Sequence, residues 1–204
     1  MLFHPDIKTN NRPIIRRTLR QKRLLLSDAD CQAAALSITK QIVNTSWFYR
    51  SRHIAFYQAI QSELDPSYLM QTAIDMGKTC YLPVCHPFCK KTLLFLPYVP
   101  GDPLKPNRYG ILEPDLKTLR PRKPFALDLV FMPLIAFDVH KNRLGSGQGY
   151  YDKTFSYLRY FSTPFRPILV GLAYDFQKIT NLHPQIWDIP MNNVVVAKSG
   201  IADD

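Results

Sequence analysis

The apolar run DLVFMPLIAFD at residues 128–138, followed closely by RLGSGQGYYD at 143–152, constrains this chain more than any other segment. So continuous an apolar run is the pattern of a strand covered on both faces. The second segment alternates Gly145, Gly147 and Gly149 with Ser146 and Gln148, in a chain with only 8 glycines among its 204 residues. A helix is expected next, over about 150–161. A buried strand leading through glycines into a helix is an arrangement that binds phosphate. Backbone N–H groups reach the anion with no Cβ in the way, and the helix N-terminus adds the positive end of its dipole. Spacing alone leaves a plain glycine-rich turn equally open, since the segment has neither G-x-G-x-x-G nor Gly-Lys-Ser/Thr.

The neighbours bear on that choice. Arg143 could clamp a phosphate bidentately, and Asp152 could hold a magnesium ion that bridges phosphates. The simpler readings are a surface charge for Arg143 and a first-turn acid for Asp152, worth a fraction of a kcal/mol against the helix dipole. Tyr150 and Tyr151 can equally be core packing.

The rest of the chain alternates helices and strands. Residues 14–26 form a basic amphipathic pattern, with Ile15, Leu19 and Leu26 on one side. Residues 27–30 read as a break and a new N-cap, opening a second helix to about residue 45. Residues 53–59 read as a strand. Asp65 and Pro66 are a helix entry, and Gly77 closes that helix. Residues 78–84 and 93–99 are strand-like, but their prolines place them at strand ends or sheet edges. Residues 100–126 read as a long surface loop containing YGILEP at 109–114, which is more apolar than a solvated linker requires. Residues 167–174 and 194–197 complete the strands. The expected fold is α/β, with three layers α/β/α around a mostly parallel sheet. A single domain over residues 1–204 is expected, with basic helices at about 14–45 and an α/β core at about 53–198.

A formal charge of +10 suits anionic partners, either small phosphorylated or carboxylated substrates or nucleic acid. The basic residues are spread rather than stacked, densest at RRTLRQKR (16–23), which favours the small substrates. No stretch of roughly 18 apolar residues suggests a membrane span. The four cysteines and the lack of an export signal point to reduced thiols in a cytoplasm. Cys85-His86-x-x-Cys89 lacks the paired knuckles of a structural zinc site, so incidental thiols are expected there.

The segment PLIAFDVHKNRLGSGQGYYDKTF (133–155) resembles the signature of the 5-formyltetrahydrofolate cyclo-ligases, also called methenyltetrahydrofolate synthetases. The resemblance extends, in order, through RRTLR (16–20), FYQAIQSELD (56–65), YGILEP (109–114) and HPQIWDIPMNNVVV (183–196). It implies ATP-dependent closure of 5-formyltetrahydrofolate to 5,10-methenyltetrahydrofolate, giving ADP and phosphate with magnesium. It places ATP at Arg16, Arg17, Thr18, Leu19 and Arg20, and along the glycine segment at Arg143, Leu144, Gly145, Ser146, Gly147, Gln148, Gly149, Tyr150 and Tyr151. Folate falls at Gln58, Glu63, Tyr109, Gln148, Gly149, Tyr150 and Tyr151, magnesium at Asp152 and Asp188, and the catalytic roles on Arg143 and Asp152.

Some positions depart from the family pattern. Arg16 stands where lysine is usual, Gln148 where glycine or lysine is common, Lys153 for arginine, and Asn192 for the second aspartate of the closing segment. The expected partners are ATP and 5-formyltetrahydrofolate, with or without a polyglutamate tail, and no membrane or nucleic acid. A cytoplasmic monomer is expected. The rival readings are a non-catalytic folate- or RNA-binding protein of the same fold, and an ATP-dependent enzyme acting on another substrate.

Overall fold

The computed structural model describes residues 11–116, 119–160 and 167–200. Helix α1 (Arg12–Arg23) begins at Asn11, whose side chain accepts the Ile14 N–H at 3.4 Å, with Pro13 in the first turn. Ser27 and Asp30 form a reciprocal capping box that opens α2 (Asp28–Val43). A short helix absent from the sequence reading, α3 (Ser46–Arg50), follows before β1 (His53–Ala55). At α4 (Ser67–Asp75) the expected cap shifts by one residue. Pro66 is the N-cap, and Asp65 accepts the Ser67 N–H at 2.9 Å from outside the helix. Gly77 closes α4 as expected, at φ +73°. The Gly77 N–H reaches the Ile74 carbonyl at 2.8 Å, and the Lys78 N–H reaches that of Ala73 at 3.0 Å, a Schellman ending.

The remaining elements are β2 (Thr79–Cys85), β3 (Leu93–Pro97), β4 (Leu104–Pro106), β5 (Leu112–Pro114), β6 (Leu129–Met132), β7 (Ala136–Phe137), β8 (Arg143–Leu144), α5 (Tyr150–Thr154), β9 (Ile168–Tyr174) and β10 (Asn193–Ala197). Six strands form one sheet in the order β10-β9-β6-β1-β2-β3. All its pairings are parallel except β2 with β3, so β3 is an antiparallel edge. Pro83 is tolerated within β2 because β1 pairs only as far as Tyr81, leaving that side of the strand open beyond it.

Strand alternation sorts the core. Ile54, Leu129, Phe131, Val170 and Leu172 face one side, beneath Ile38 and Ile42 of α2 and Leu69 of α4. Ala55, Val130, Met132, Leu169 and Ala173 face the other, with Phe95, Phe155, Ile189 and Met191. The sheet therefore carries a helix layer on the α2–α4 face, while α5 and irregular chain cover the opposite face. Gly171 of β9 lies on that second face. A Cβ there would come within 2.7 Å of Leu134 Cδ2 and closer still to Met191 Sδ, so this strand glycine permits close packing. A third, smaller cluster seats α1, where Ile15 and Leu19 meet Ile135, Ala136, Leu144 and Leu182.

Three expectations are corrected. The strand expected over 128–138 breaks after Met132. Pro133 has no N–H to continue the ladder, and Ala136 and Phe137 pair instead with Leu144 and Arg143 in a separate two-stranded sheet. The long loop expected at 100–126 contains the β4–β5 hairpin, whose return strand uses the apolar part of YGILEP. The helix expected over 150–161 ends at Thr154 and continues as a 3-10 turn at Ser156–Arg159. Residue 161 lies outside the described residues.

Candidate functional site

In an open parallel sheet, ligands collect beyond the carboxyl ends of the strands, where the chain order reverses direction across the sheet. Here that point lies between β1 and β6. From β1 the chain moves outward to β2, then returns to place β6 on the other side. A cavity of about 400 Å³ opens there. The segments leaving β1 and β6 line it through Tyr57, Gln58, Pro133, Leu134 and Ile135, and β2 contributes Pro83 and Cys85. The α1 helix and the glycine segment form one wall; the β4–β5 hairpin and the 58–63 loop form the other.

On the first wall, Arg12, Arg16 and Arg20 project from one face of α1 at four-residue spacing and line the cavity. Arg16 Nε donates to the Gly145 carbonyl at 2.9 Å, and Arg20 Nη2 to that of Ser146 at 3.4 Å. These bonds dock the glycine segment onto the helix. Burial and the nearby charges of Arg12 and Arg20 lower the Arg16 pKa, the consequence of positive charges crowded at this wall. Gly147 sits at φ +106° and Gly149 at φ +72°. A Cβ on Gly147 would meet the Arg16 guanidinium carbon at 3.4 Å. Glycine is thus required at 147 by conformation and by the close approach of Arg16. Helix α5, opened by Gly149, has only five residues, so an anion at this wall would meet charge and exposed backbone more than a long helix dipole.

Two carboxylates border the same wall. Asp152 Oδ1 accepts from Arg143 Nη2 at 2.7 Å and from the Ile189 N–H at 3.1 Å. Asp188 Oδ2 accepts from Arg12 Nη2 at 2.6 Å and from the Gln185 N–H at 2.9 Å. Each spends one oxygen this way; Asp152 Oδ2 and Asp188 Oδ1 have no hydrogen bond to the described residues. Arg143, expected as a phosphate clamp, lines the cavity beside these carboxylates. Arg143 is buried, and its fork is committed to Asp152 and, through Nη1 at 2.7 Å, to the Ile189 carbonyl. Its burial lowers its pKa against the pull of Asp152, so the pair is a fixed internal contact.

Among the described residues no group of three or more His, Cys, Asp or Glu side chains could by itself hold a metal. Asp152 and Asp188 nevertheless suit magnesium, which takes one or two carboxylates and fills its octahedral shell with phosphate oxygens and waters.

The second wall is aromatic. Tyr57 is buried and its hydroxyl donates to the Leu64 carbonyl, which shapes the turn carrying Glu63. Glu63 borders the cavity and is almost covered, so burial raises its pKa against the opposing effect of Arg23, whose Nη1 lies 3.5 Å away. Tyr109 and Tyr150 meet edge to face at 6.0 Å, with their hydroxyls 3.2 Å apart, and Arg108 donates to the Tyr150 hydroxyl. Burial and the bond with Tyr109 push the Tyr150 phenol up to about 12 against the opposing Arg108 bond, so it is a neutral donor and acceptor. Glu113 accepts from the Cys85 N–H at 3.1 Å and Asn107 Nδ2 at 3.0 Å, tying the hairpin to the end of β2. Tyr151 packs on Phe155 and is held neutral by burial.

The structure gathers Arg16, Arg20, Gln58, Glu63, Tyr109, Asp188 and all of residues 143–152 around one cavity. It does not bring Arg17, Thr18 or Leu19 to it. Arg17 is exposed on another side of α1, and Leu19 is buried against Ile135 and Leu144, because a helix presents positions four apart on one face. Leu144 borders the cavity but is buried in the same cluster. Sequence reasoning missed Arg12, Tyr57, Asn107, Glu113, Cys85 and Trp187. Only Arg12 left a signal, its spacing of four from Arg16 and Arg20.

The described residues contain no helix long and apolar enough to cross a membrane. The profile described as the 5-formyltetrahydrofolate cyclo-ligase family matches residues 8–197. The chain is 37% identical over 190 residues to the 5-formyltetrahydrofolate cyclo-ligase of Haemophilus influenzae, covering 93% of this chain and 100% of that protein. It is 34% identical over 177 residues to the enzyme of the same name from Escherichia coli K12, covering 87% and 95%. The solved structure of Aquifex aeolicus 5,10-methenyltetrahydrofolate synthetase aligns with a TM-score of 0.75 at 25% identity, covering 93% and 92% of the two chains.

Proposed function

The chain belongs to the 5-formyltetrahydrofolate cyclo-ligase family, and we propose that its cavity closes 5-formyltetrahydrofolate to 5,10-methenyltetrahydrofolate while ATP is converted to ADP and phosphate. The observation that carries this reading is the division of one cavity between a wall of arginines and glycines and an aromatic, carboxylate-bearing wall.

The formyl group on N5 is an amide, and its oxygen is a poor leaving group. In the proposed sequence that oxygen attacks the γ-phosphorus and displaces ADP. N10 then adds to the activated formyl carbon and loses its proton, and the carbon–oxygen bond breaks to release phosphate and leave the cyclic amidinium. Such chemistry asks for positioning and charge neutralisation rather than a nucleophilic side chain. Arg12, Arg16 and Arg20 neutralise phosphate oxygens, and the backbone of residues 145–149 lies against them. Asp152 and Asp188 hold magnesium, which when bound neutralises charge on the phosphates. Arg143 fixes Asp152 and acts through it. Glu63 accepts hydrogen bonds from pterin N–H groups, while Tyr109 and Tyr150 pack on the ring. The excess positive charge of the chain suits an anionic glutamate tail of either length. A cytoplasmic monomer is part of the same reading, and a single species of one-chain mass in sedimentation checks the second half of it.

Purified protein with 5-formyltetrahydrofolate, ATP and magnesium should develop the near-ultraviolet absorbance of the methenyl product, with one ADP per product. Product without ATP consumption, or folate binding with no product at all, would overturn the proposal.

A further inference from the structure

We infer that Arg23, at the C-terminal end of α1, is a positioning residue for recognition of the folate head group, fixing the carboxylate of Glu63 where it meets the cavity. The inference rests on the folate reading of the cavity given above. Arg23 does not line the cavity and is only 2% exposed. Its Nη1 lies 3.5 Å from Glu63 Oε1, whereas Glu63 Oε2 accepts only the Ile60 N–H, at a long 3.4 Å. Glu63 stands on a tight turn in which Gln61 and Ser62 have φ of 48° and 56°, left-handed values that hold the carboxylate toward the helix. Packing does not account for an arginine here. Its Nε and Nη1 are buried without hydrogen-bond partners, an arrangement that costs stability and that an apolar side chain would avoid. What arginine supplies is a charge directed at Glu63.

The charge has a function at this position. Burial drives the Glu63 acid upward; Arg23 is foremost in opposing it, followed by the Ile60 N–H and the charge of Arg20. Tyr57 and Tyr151 are the other titratable groups facing Glu63. Burial holds both as neutral phenols, and the Glu63 charge adds to that effect. Without Arg23 the carboxyl takes up its proton at higher pH, and a protonated acid is a poorer acceptor for pterin N–H groups. Folate binding then weakens as the pH falls through the raised value, in a range where the wild-type carboxylate is still ionised. Helix α1 thus serves both walls, through Arg12, Arg16 and Arg20 on one and Arg23 on the other.

The test is steady-state kinetics of wild type, Arg23→Met, Arg23→Lys and Glu63→Gln from mildly acidic to neutral pH. Arg23→Met should raise KM for 5-formyltetrahydrofolate about tenfold and leave KM for ATP within about twofold. It should also move the acid-side inflection of folate kcat/KM upward by about one pH unit. Arg23→Lys keeps the charge and holds the inflection near wild type. In a Glu63→Gln background, Arg23→Met should change nothing further. Equal increases in both KM values, or lowered thermal stability with an unmoved inflection, would overturn the assignment to Arg23 while wild-type turnover leaves the folate reading standing. Absent wild-type turnover instead removes that reading. Should Arg23→Met not fold, an acid-side inflection that persists in Glu63→Gln overturns the proposal by itself.

Discussion

The two walls of the cavity are built on opposite principles. The phosphate wall is built from two short segments far apart in the chain: one helix face with arginines at four-residue spacing, and one glycine segment docked on it through Arg16 and Arg20. Its working groups are charges and backbone amides, which tolerate small shifts in side-chain placement. The folate wall is assembled from the turn after β1, the end of β2, the β4–β5 hairpin and the start of α5. Its groups are buried phenols and carboxylates, each held by a particular partner: Tyr57 by Leu64, Glu63 by Arg23, Glu113 by Asn107 and Cys85. In the proposed function the first wall neutralises charge shared by any triphosphate, whereas the second recognises one ring system. Ring recognition would therefore rest on several individually placed side chains, and phosphate binding on two docked segments.

The most severe test of this contrast is at Asp152, where the phosphate wall depends on one placed group. Asp152→Asn should reduce kcat by on the order of 100-fold, as loss of a metal-orienting group does, with the fold retained. Asparagine is the informative substitution, because alanine would orphan the buried Arg143, and breaking a buried pair costs about 3–5 kcal/mol. Calorimetry of the folded variant separates the two effects, and a near-normal kcat would move the metal away from Asp152. Next in size is Glu63→Gln on the other wall. Loss of a charge-assisted hydrogen bond worth about 1.5–3 kcal/mol should raise folate KM roughly 10- to 100-fold, with ATP KM unchanged. A comparable rise in ATP KM would show that the walls are not separable.

The same contrast explains what could be read from the sequence. Gly145, Gly147 and Gly149 after an apolar strand, with Arg143 and Asp152 beside them, raise a phosphate site as one of two open readings, and the family resemblance favours it. The helix periodicity that finds α1 also selects Arg12, Arg16 and Arg20 over Arg17. Local patterns also have a limit. Arg143 is visible in the sequence as a charge beside the glycines, while its burial and its contact with the Ile189 carbonyl are properties of chain packing. The folate wall left almost no local trace. Asn107 and Glu113 lie in a segment whose prolines and lysines resemble a loop, and Cys85 reads as an incidental thiol until β2 and the hairpin meet. Only resemblance to a family named Glu63 and Tyr109 in advance. The α/β fold was legible because the apolar runs of β6 and β9 and the helix periods between strands are local, whereas the break at Pro133 shows a long apolar run being divided by one missing N–H.

A moderate effect is expected within the glycine segment, where one substitution carries its own control. Gly147→Ala forces a side chain into φ +106° and against the Arg16 guanidinium. A left-handed backbone costs an alanine roughly 1–2 kcal/mol, and displacement of Arg16 adds to that. ATP KM should rise about tenfold, with folate KM little changed. Gly145 has no left-handed φ, and a Cβ there meets nothing within 4 Å, so Gly145→Ala should fold as wild type. Equal losses in the two variants, by isothermal titration with an ATP analogue, would mean that bare backbone rather than conformation is what the wall requires.

The smallest effect should come from the rim of the folate wall. Tyr109 is 46% exposed, and its hydroxyl meets that of Tyr150 at 3.2 Å while Arg108 stacks over its ring at 5.0 Å. Tyr109→Phe keeps the ring, the edge-to-face contact and the arginine. It removes only a half-solvated hydrogen bond, which contributes about 0.5–1.5 kcal/mol at most. Folate KM should rise no more than a few-fold, and kcat should hold. Tyr109→Ala, by contrast, removes the aromatic contact itself and should weaken folate binding more than the phenylalanine variant does. If Tyr109→Phe alone reproduced the alanine loss, the hydroxyl would be recognising substrate directly, and the folate wall would depend on polar contacts at its rim as much as on the buried carboxylate of Glu63.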